Sequence, residues 1–252
     1  MLHVAVDLGN LDIVELLVGA NADVNQSDNN RIITPLASAS HRGHAEVVRL
    51  LVGANADVNQ GDNQGVTALL AASHRGHVEV VRVLVGAEAQ VNQGNNNGHT
   101  PLAAASQGGY ADVVRVLVGA QADVNQGNNE GVASLLWASH RGHVEVVRVL
   151  LGAQADVSQG DSEGITSLLW ASREGHVEVV RLLVGGNADV NHRDNEGFTA
   201  LRMASANGRT AVVRELLGAG AAVDAALLAA AASSSWDEEI VSMLRAAPQG
   251  EA

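Results

Sequence analysis

The feature that most constrains this chain is a repeat with a period of 33 residues. Segments opening at Gly61 (GDNQGVTALLAASHRGHVEVVRVLVGAEAQVNQ), Gly94 and Gly127 follow one another without a break, and two more open at Gly160 and Arg193. Upstream, 27–60 is the same unit with one extra residue in its first loop, and 1–26 is a unit lacking its front. Downstream, 225–247 reads as a shortened capping unit and 248–252 as a tail. The divisions are therefore 1–26, 27–60, 61–93, 94–126, 127–159, 160–192, 193–224 and 225–247, within one domain covering 1–252. Each copy is a single supersecondary unit, too small to bury its own apolar face. Stacked copies bury one another's, which predicts an all-α repeat solenoid, an α-α superhelix.

Within a unit the residues predict loop, short helix, tight turn, longer helix, loop. Asp62 and Gly65 supply turn chemistry, Thr67 is placed to cap a first helix, and Ala68 to Ala72 are helix formers. Gly76 breaks that helix. His77-Val78-Glu79 opens the second, with Glu79 where the helix dipole favours an anion and Val80, Val81, Leu84 and Val85 as its buried stripe. Near the C-terminus, Ser235 stands three before Glu238, a capping box for a last helix opening at Trp236-Asp237.

Composition fits small, closely packed helices: 46% of residues are hydrophobic but only 2% are aromatic. A formal charge of −13 opposes a phosphate backbone and disfavours nucleic acid as a partner. There is no cysteine, which excludes disulfides and thiolate metal sites. The N-terminus has no positive leader, and no apolar run reaches the roughly 18 residues of a membrane span. The chain reads as soluble, without a membrane partner, monomeric, and suited to cytoplasm or nucleus. All 15 basic residues are arginine, a bias that fits an Ala-, Gly- and Val-rich coding composition.

The unit resembles the ankyrin repeat. Thr34-Pro35-Leu36 and Thr100-Pro101-Leu102 match that family's T-P-L signature, Leu2-His3-Val4-Ala5 retains its following His and Ala, and Gly-His-Val-Glu-Val-Val recurs at Gly76, Gly142 and Gly175. The resemblance covers nearly the whole chain. It implies paired antiparallel helices, β-hairpin loops projecting at right angles, and a concave groove that binds other proteins. Two departures stand out. The motif His is replaced by Ala37, Leu70, Ala103, Leu136, Leu169 and Arg202. The Gly that ends the second helix in the family is here Asn21, Asn55, Glu88, Gln121, Gln154 or Asn187, a position strained for Glu and Gln if left-handed. Gly19, Gly53, Gly86, Gly119, Gly152 and Gly185 offer an earlier stop, but a hairpin geometry shared by all units favours the later one.

Candidate chemistry is sparse. His41 with His44, His74 with His77, and His140 with His143 are three apart, but a Gly between each pair puts one at the end of a first helix and the other at the start of a second. Neighbouring copies lie about 8–10 Å apart, against zinc–ligand distances of about 2.0–2.1 Å, which argues against a metal site. Arg49, Arg82, Arg115, Arg148, Arg181 and Arg214 form a ladder, but Glu46, Glu79, Asp112, Glu145 and Glu178 each stand three before an Arg and neutralise it. No glycine-rich phosphate loop with a Lys exists. The sequence implies no enzyme, no cofactor and no metal.

Recognition is expected where the copies differ. Before the first helix the residues include Val66, His99, Val132, Ile165 and Phe198; within it, Trp137, Trp170 and Met203; and at its end, His74, Arg75, Gln107, His140, Arg141, Arg173 and Glu174. By the resemblance, the hairpin tips, the residue before the capping Thr and the end of the first helix line the groove. Trp137 and Trp170 are expected near Arg141 and Arg173, and both residue types are enriched in binding hot spots, although a large side chain here equally fills space between first helices. His41, Arg42, His74, Arg75, His140, Arg141 and Arg173 collect at first-helix ends, while Glu130, Glu163 and Glu196 sit at loop tips. That segregation points to an acidic segment as ligand, bound more tightly as pH falls. The reading is a non-catalytic protein-binding module. A structural spacer and a His/carboxylate metal enzyme are the alternatives. Met1 falls at the equivalent of Pro35, inside a unit, so the sequence also predicts an apolar helix face without a polar cap, as in a fragment of a larger protein.

Overall fold

The computed structural model describes residues 1–27, 33–233 and 236–247. It contains two compact units, Met1–Asn129 and Glu130–Ala252. The first holds α1 (Leu2–Asp7), α2 (Leu11–Gly19), α3 (Pro35–Arg42), α4 (Ala45–Gly53), α5 (Ala68–Arg75), α6 (Val78–Gly86), α7 (Pro101–Gly108) and α8 (Ala111–Gly119). In it α1, α3, α5 and α7 pack side by side as one row, and α2, α4, α6 and α8 as a second. The second unit holds α9 (Ser134–Arg141), α10 (Val144–Gly152), α11 (Ser167–Glu174), α12 (Val177–Gly185), α13 (Ala200–Ala206), α14 (Thr210–Gly218), α15 (Ala225–Ser233) and α16 (Glu238–Ala246). There α9, α11 and α13 form one row, and α10, α12, α14 and α16 the other.

Each first helix starts and stops for local reasons. Thr67 Oγ1 accepts the Leu70 N–H at 3.2 Å, and Thr34 and Thr100 do the same for Ala37 and Ala103. α9, preceded by Ala133, has no side-chain cap, and neither does α11, although Thr166 precedes it. The stop is Gly43, Gly76, Gly109, Gly142 or Gly175, each with φ between +74° and +91°, where a Cβ would be strained. Second helices bury Val80, Val81 and Leu84 and their equivalents; Val85, expected in that stripe, is only half-buried. The last helix departs from its expected start. Ser235 lies outside the described residues, and Asp237 is the cap, accepting the Glu239 N–H at 2.8 Å. Trp236 and Asp237 precede the helix because the carboxylate takes the orphan amides two residues later than the hydroxyl was expected to.

Second helices stop at the earlier of the two expected positions, the glycine, while the left-handed residue that turns the chain out falls at the later one. α6 runs to Gly86, but Glu88 takes φ +61°, its N–H bonds Val85 O, and the Ala89 N–H bonds Leu84 O, both at 3.0 Å. This is the paired bond pattern that turns a chain out of a helix. Asn21, Asn55, Gln121, Gln154 and Asn187 share it, with φ of +60° to +66°.

The loops differ from the expected hairpins. Asp62 Oδ1 accepts the Gln64 and Val66 N–H groups at 2.9 and 2.8 Å, in a tight turn closed by two backbone bonds, Gly65 N–H to Asp62 O at 2.9 Å and Asp62 N–H to Val66 O at 3.1 Å. Among the described residues no strand forms, and only Gly160 and Thr166 make an isolated bridge. The side-chain acceptor satisfies the amides that a strand ladder would otherwise take. Neighbouring loops are tied by asparagine, as Asn96 Nδ2 donates to Asn63 O and Asn195 Nδ2 to Ser162 O, both at 3.1 Å.

Large exposed apolar side chains concentrate on α1 and α2, where Val4, Leu8 and Leu16 are 63%, 75% and 73% exposed. Ile13 is 47% exposed, whereas its counterpart Val47, covered by the helix pair before it, is 2% exposed.

Candidate functional site

In the second unit the first helices and the turns before them enclose a cavity of about 380 Å³ lined by Glu130, Val132, Leu136, Trp137, His140, Asp161, Ser162, Glu163 and Trp170. The helices bring the aromatic groups together. Trp137 and His140 are one turn apart on α9, and Trp170 holds the position on α11 that Trp137 holds on α9. The His140 and Trp170 ring centroids are 4.4 Å apart with the planes tilted by 38°. Arg173 Cζ lies 5.2 Å from the Trp170 centroid, within cation–π range. Both indoles are half-buried, so each packs against the helix row while presenting part of its surface to the cavity.

Charges of both signs meet there. Glu130 and Glu163 are exposed at the turns, while the Asp161 carboxylate is engaged by the Glu163 and Ile165 N–H groups at 3.0 and 2.9 Å. Burial, above all, lowers the His140 pKa below 6.5; Glu174, 4.0 Å from Nε2, opposes the shift. His140 is accordingly neutral near pH 7. Carboxylate residues of the turns thus join the cavity lining beside the helix ends that read as basic in the sequence. Glu130 and Glu163 lie at the loop tips that the resemblance puts on the groove, although neither was singled out as a contact residue; their signal was the recurrence at Glu130, Glu163 and Glu196.

The first unit has a cavity of about 420 Å³ whose lining includes His3, Asp7, Ile33, Ser38, His41, Arg42, Asp62 and Val66. Here the carboxylates serve the chain itself: Asp7 accepts from the Ser38 hydroxyl, and Asp62 holds its turn. Arg75 Nη2 donates to His41 Nε2 at 3.0 Å, linking the ends of α3 and α5 in one basic edge with exposed His74. Burial first, and Arg75 second, lower the His41 pKa.

The remaining expected residues divide. Phe198 is half-buried beneath Arg202, whose Cζ is 4.1 Å from its ring, and Met203 is also half-buried. Arg141 is exposed, and His99 and Gln107 are half-buried; burial lowers the His99 pKa. Ile165, expected at the surface of the groove, is buried at 8% exposure because the turn folds it under α11. The arginine ladder is paired as read. Arg115 meets Asp112 at 2.6 Å, Arg148 meets Glu145 at 3.5 Å and Arg82 meets Glu79 at 3.6 Å. Arg214, without an acid three residues before it, reaches Glu239 of α16 at 2.9 Å.

Histidines that precede second helices have a structural use that sequence reasoning missed. His77 Nε2 donates to His41 O at 3.1 Å and His176 Nε2 to His140 O at 3.0 Å, each bridging adjacent helix pairs. Arg209 Nε makes the same bridge to Arg173 O at 3.0 Å. Among the described residues no group of three or more His, Asp or Glu side chains is arranged to hold a metal ion, and no helix is long and apolar enough to cross a membrane.

Comparison with known proteins agrees with this geometry. The family model described as "Ankyrin repeats (3 copies)" matches residues 2–95, 87–161 and 135–226. A search of curated proteins finds no match. Among solved structures the chain is similar to the human ASB11 ankyrin repeat domain, at 26% identity and a TM-score of 0.79, over 86% of this chain and 96% of that one.

Proposed function

The chain belongs to the ankyrin-repeat family, whose repeats generally serve as protein–protein interaction modules, and from that premise we propose that it is a non-catalytic module binding a protein partner through the ends of its first helices and the turns before them. The observation that carries this is the exposure of half-buried Trp137 and Trp170 in one cavity, since a core aromatic in a repeat framework would be covered by its neighbours. In the first unit the ligand is an acidic segment. His41, Arg42, His74 and Arg75 collect on one edge, and the guanidinium of Arg75 is spent on a neutral imidazole rather than a carboxylate.

The test uses the full chain, immobilised, to recover its partner, followed by titration of that partner. Trp137→Ala with Trp170→Ala is expected to weaken binding by at least about 2 kcal/mol. Arg82→Ala with Arg148→Ala, on the second helices, leaves it unchanged. Unchanged affinity with lowered stability in the double Trp variant would make both indoles core residues and overturn the reading. A glutamate-rich peptide tests the finer claim: its binding weakens with salt and in Arg42→Ala/Arg75→Ala, and indifference to both would discard it.

A further inference from the structure

We infer that the face of α1 and α2 turned away from α3 and α4 docks a basic amphipathic helix of a partner protein. Apolar side chains of that helix lie on Val4, Leu8, Ile13 and Leu16, and its lysines or arginines meet Asp12 and Glu15. The inference is independent of the Trp137–Trp170 cavity and of the basic edge at Arg42 and Arg75.

The stack itself gives the direction of these side chains. Ser38, the counterpart of Val4 one unit on, donates its hydroxyl to Asp7 of the preceding helix pair. Arg75, at the position of Leu8, donates to His41 of the pair before its own at 3.0 Å. Val47, the counterpart of Ile13, is buried under the preceding pair. These positions therefore point upstream, and on α1 and α2 that side is open. All large apolar side chains exposed among the described residues, Tyr110 excepted, stand on this helix pair or at the ends of its helices. Stacking alone does not account for Leu8. Its counterparts Arg42 and Arg75 stay exposed although a helix pair packs ahead of each, so a leucine there adds apolar surface where a neighbouring unit leaves the position open.

Charge selects the occupant. In the next two second helices an acid stands three before an arginine, Glu46 before Arg49 and Glu79 before Arg82. On α2 the same two positions are Asp12 and Glu15, and no arginine or lysine occurs before Arg31. Two acids three apart repel along one helix stripe, beside the stripe that carries Ile13 and Leu16. Within the stack, Arg49 reaches Glu79 at 4.0 Å across the junction of α4 and α6. A cation brought by the occupant would meet Asp12, the counterpart of Glu79, in the same way. An amphipathic helix presents apolar anchors three and four residues apart with charged neighbours beside them, and basic neighbours complement this face. A second copy meeting it through the same face would bring its own Asp12 and Glu15 against them.

The probe is a dye-labelled peptide of about 18 residues, long enough to form a helix, with leucine at every third or fourth position and lysine beside it. One control peptide carries glutamate for lysine, and another shuffles the same residues so that the leucines form no stripe. Fluorescence anisotropy against the full chain is expected to give a dissociation constant on the order of 10 μM for the probe. Leu8→Gln with Leu16→Gln, both at exposed positions, should weaken it at least about tenfold. Asp12→Asn with Glu15→Gln should weaken it to a similar degree and flatten its dependence on salt. Glu163→Gln with Glu196→Gln removes the same net charge at the turns and leaves binding unchanged. Equal binding of either control peptide, unaltered affinity in the Leu8/Leu16 or the Asp12/Glu15 variant, or no saturation up to about 1 mM would overturn the proposal. Sedimentation of the chain alone as a dimer that Leu8→Gln with Leu16→Gln dissociates would assign the face to a second copy and overturn it as well. None of these outcomes bears on the groove, which the Trp137 and Trp170 variants test.

Discussion

His77 donates its Nε2–H to the backbone carbonyl of His41 at 3.1 Å, so the start of α6 is fastened to the end of α3 in the preceding helix pair. The same ring sits against Gly43, where an added Cβ would stand 2.7 Å from its Cε1. The junction between these neighbouring pairs therefore depends on one ring and one missing side chain. His77→Ala is expected to lower stability by about 1 kcal/mol. Gly43→Ala, at φ +79°, should cost more, because left-handed strain of about 1–2 kcal/mol is added to the clash. Denaturant unfolding of both variants checks the order.

Three second helices lead into residues that dislike their conformation. Glu88, Gln121 and Gln154 take φ of +61°, +63° and +63°. Substituting Gly at each is expected to stabilise by about 1 kcal/mol per site. Asn55→Gly should gain less, since Asn tolerates this region better. Equal gains at all four sites would show that side-chain strain is not the cause.

Buried hydroxyls recur in the first helices of each unit. Ser40, Ser73, Ser106, Ser139, Ser172 and Ser205 are 0–1% exposed, and their Oγ atoms have no hydrogen-bond partner. An unmet buried hydroxyl costs about 1–3 kcal/mol. Ser73→Ala and Ser172→Ala should therefore raise the unfolding midpoint, while Ser73→Val, which overfills the contact between α5 and its neighbours, should lower it.

Acidification acts on stability and binding together. His41, His99 and His140 have pKa values lowered from 6.5, in each case first by burial. The folded state thus favours the neutral rings. Their contribution to stability is complete above about 6.5 and is lost as pH falls through the lowered folded values. Thermal unfolding should move to lower temperature between pH 7 and pH 5, and His99→Gln should flatten that dependence. The glutamate-rich peptide should bind more tightly as His41 gains its charge, with that increase falling below pH 6.5. A flat affinity between pH 6.5 and 5 in protein that stays folded would remove His41 from the basic edge.

Much of the framework was legible in the sequence because it is written locally and repeated. Thr67 at a cap, Gly76 at a left-handed stop, and Glu79 three before Arg82 are each decided within a few residues, and copies at a 33-residue spacing confirm one another. Glu88 could be assigned its left-handed place for the same reason: the geometry of the following loop is expected to be shared by every unit. What only the tertiary structure decided are contacts between residues about one repeat apart. The use of the paired histidines depends on His77 meeting the carbonyl of His41, not on the three-residue spacing to His74. That Glu130 and Glu163 share one cavity with Trp137 and His140 depends on where the turns lie against the helices, which a list of charges along each helix does not give. Ile165 went under α11 because its turn rotates it inward, and no local pattern distinguishes it from half-buried Val132. Local hydrogen bonding and periodicity fix an element from its own residues; the surroundings of a side chain are fixed by whichever neighbour the stack brings beside it.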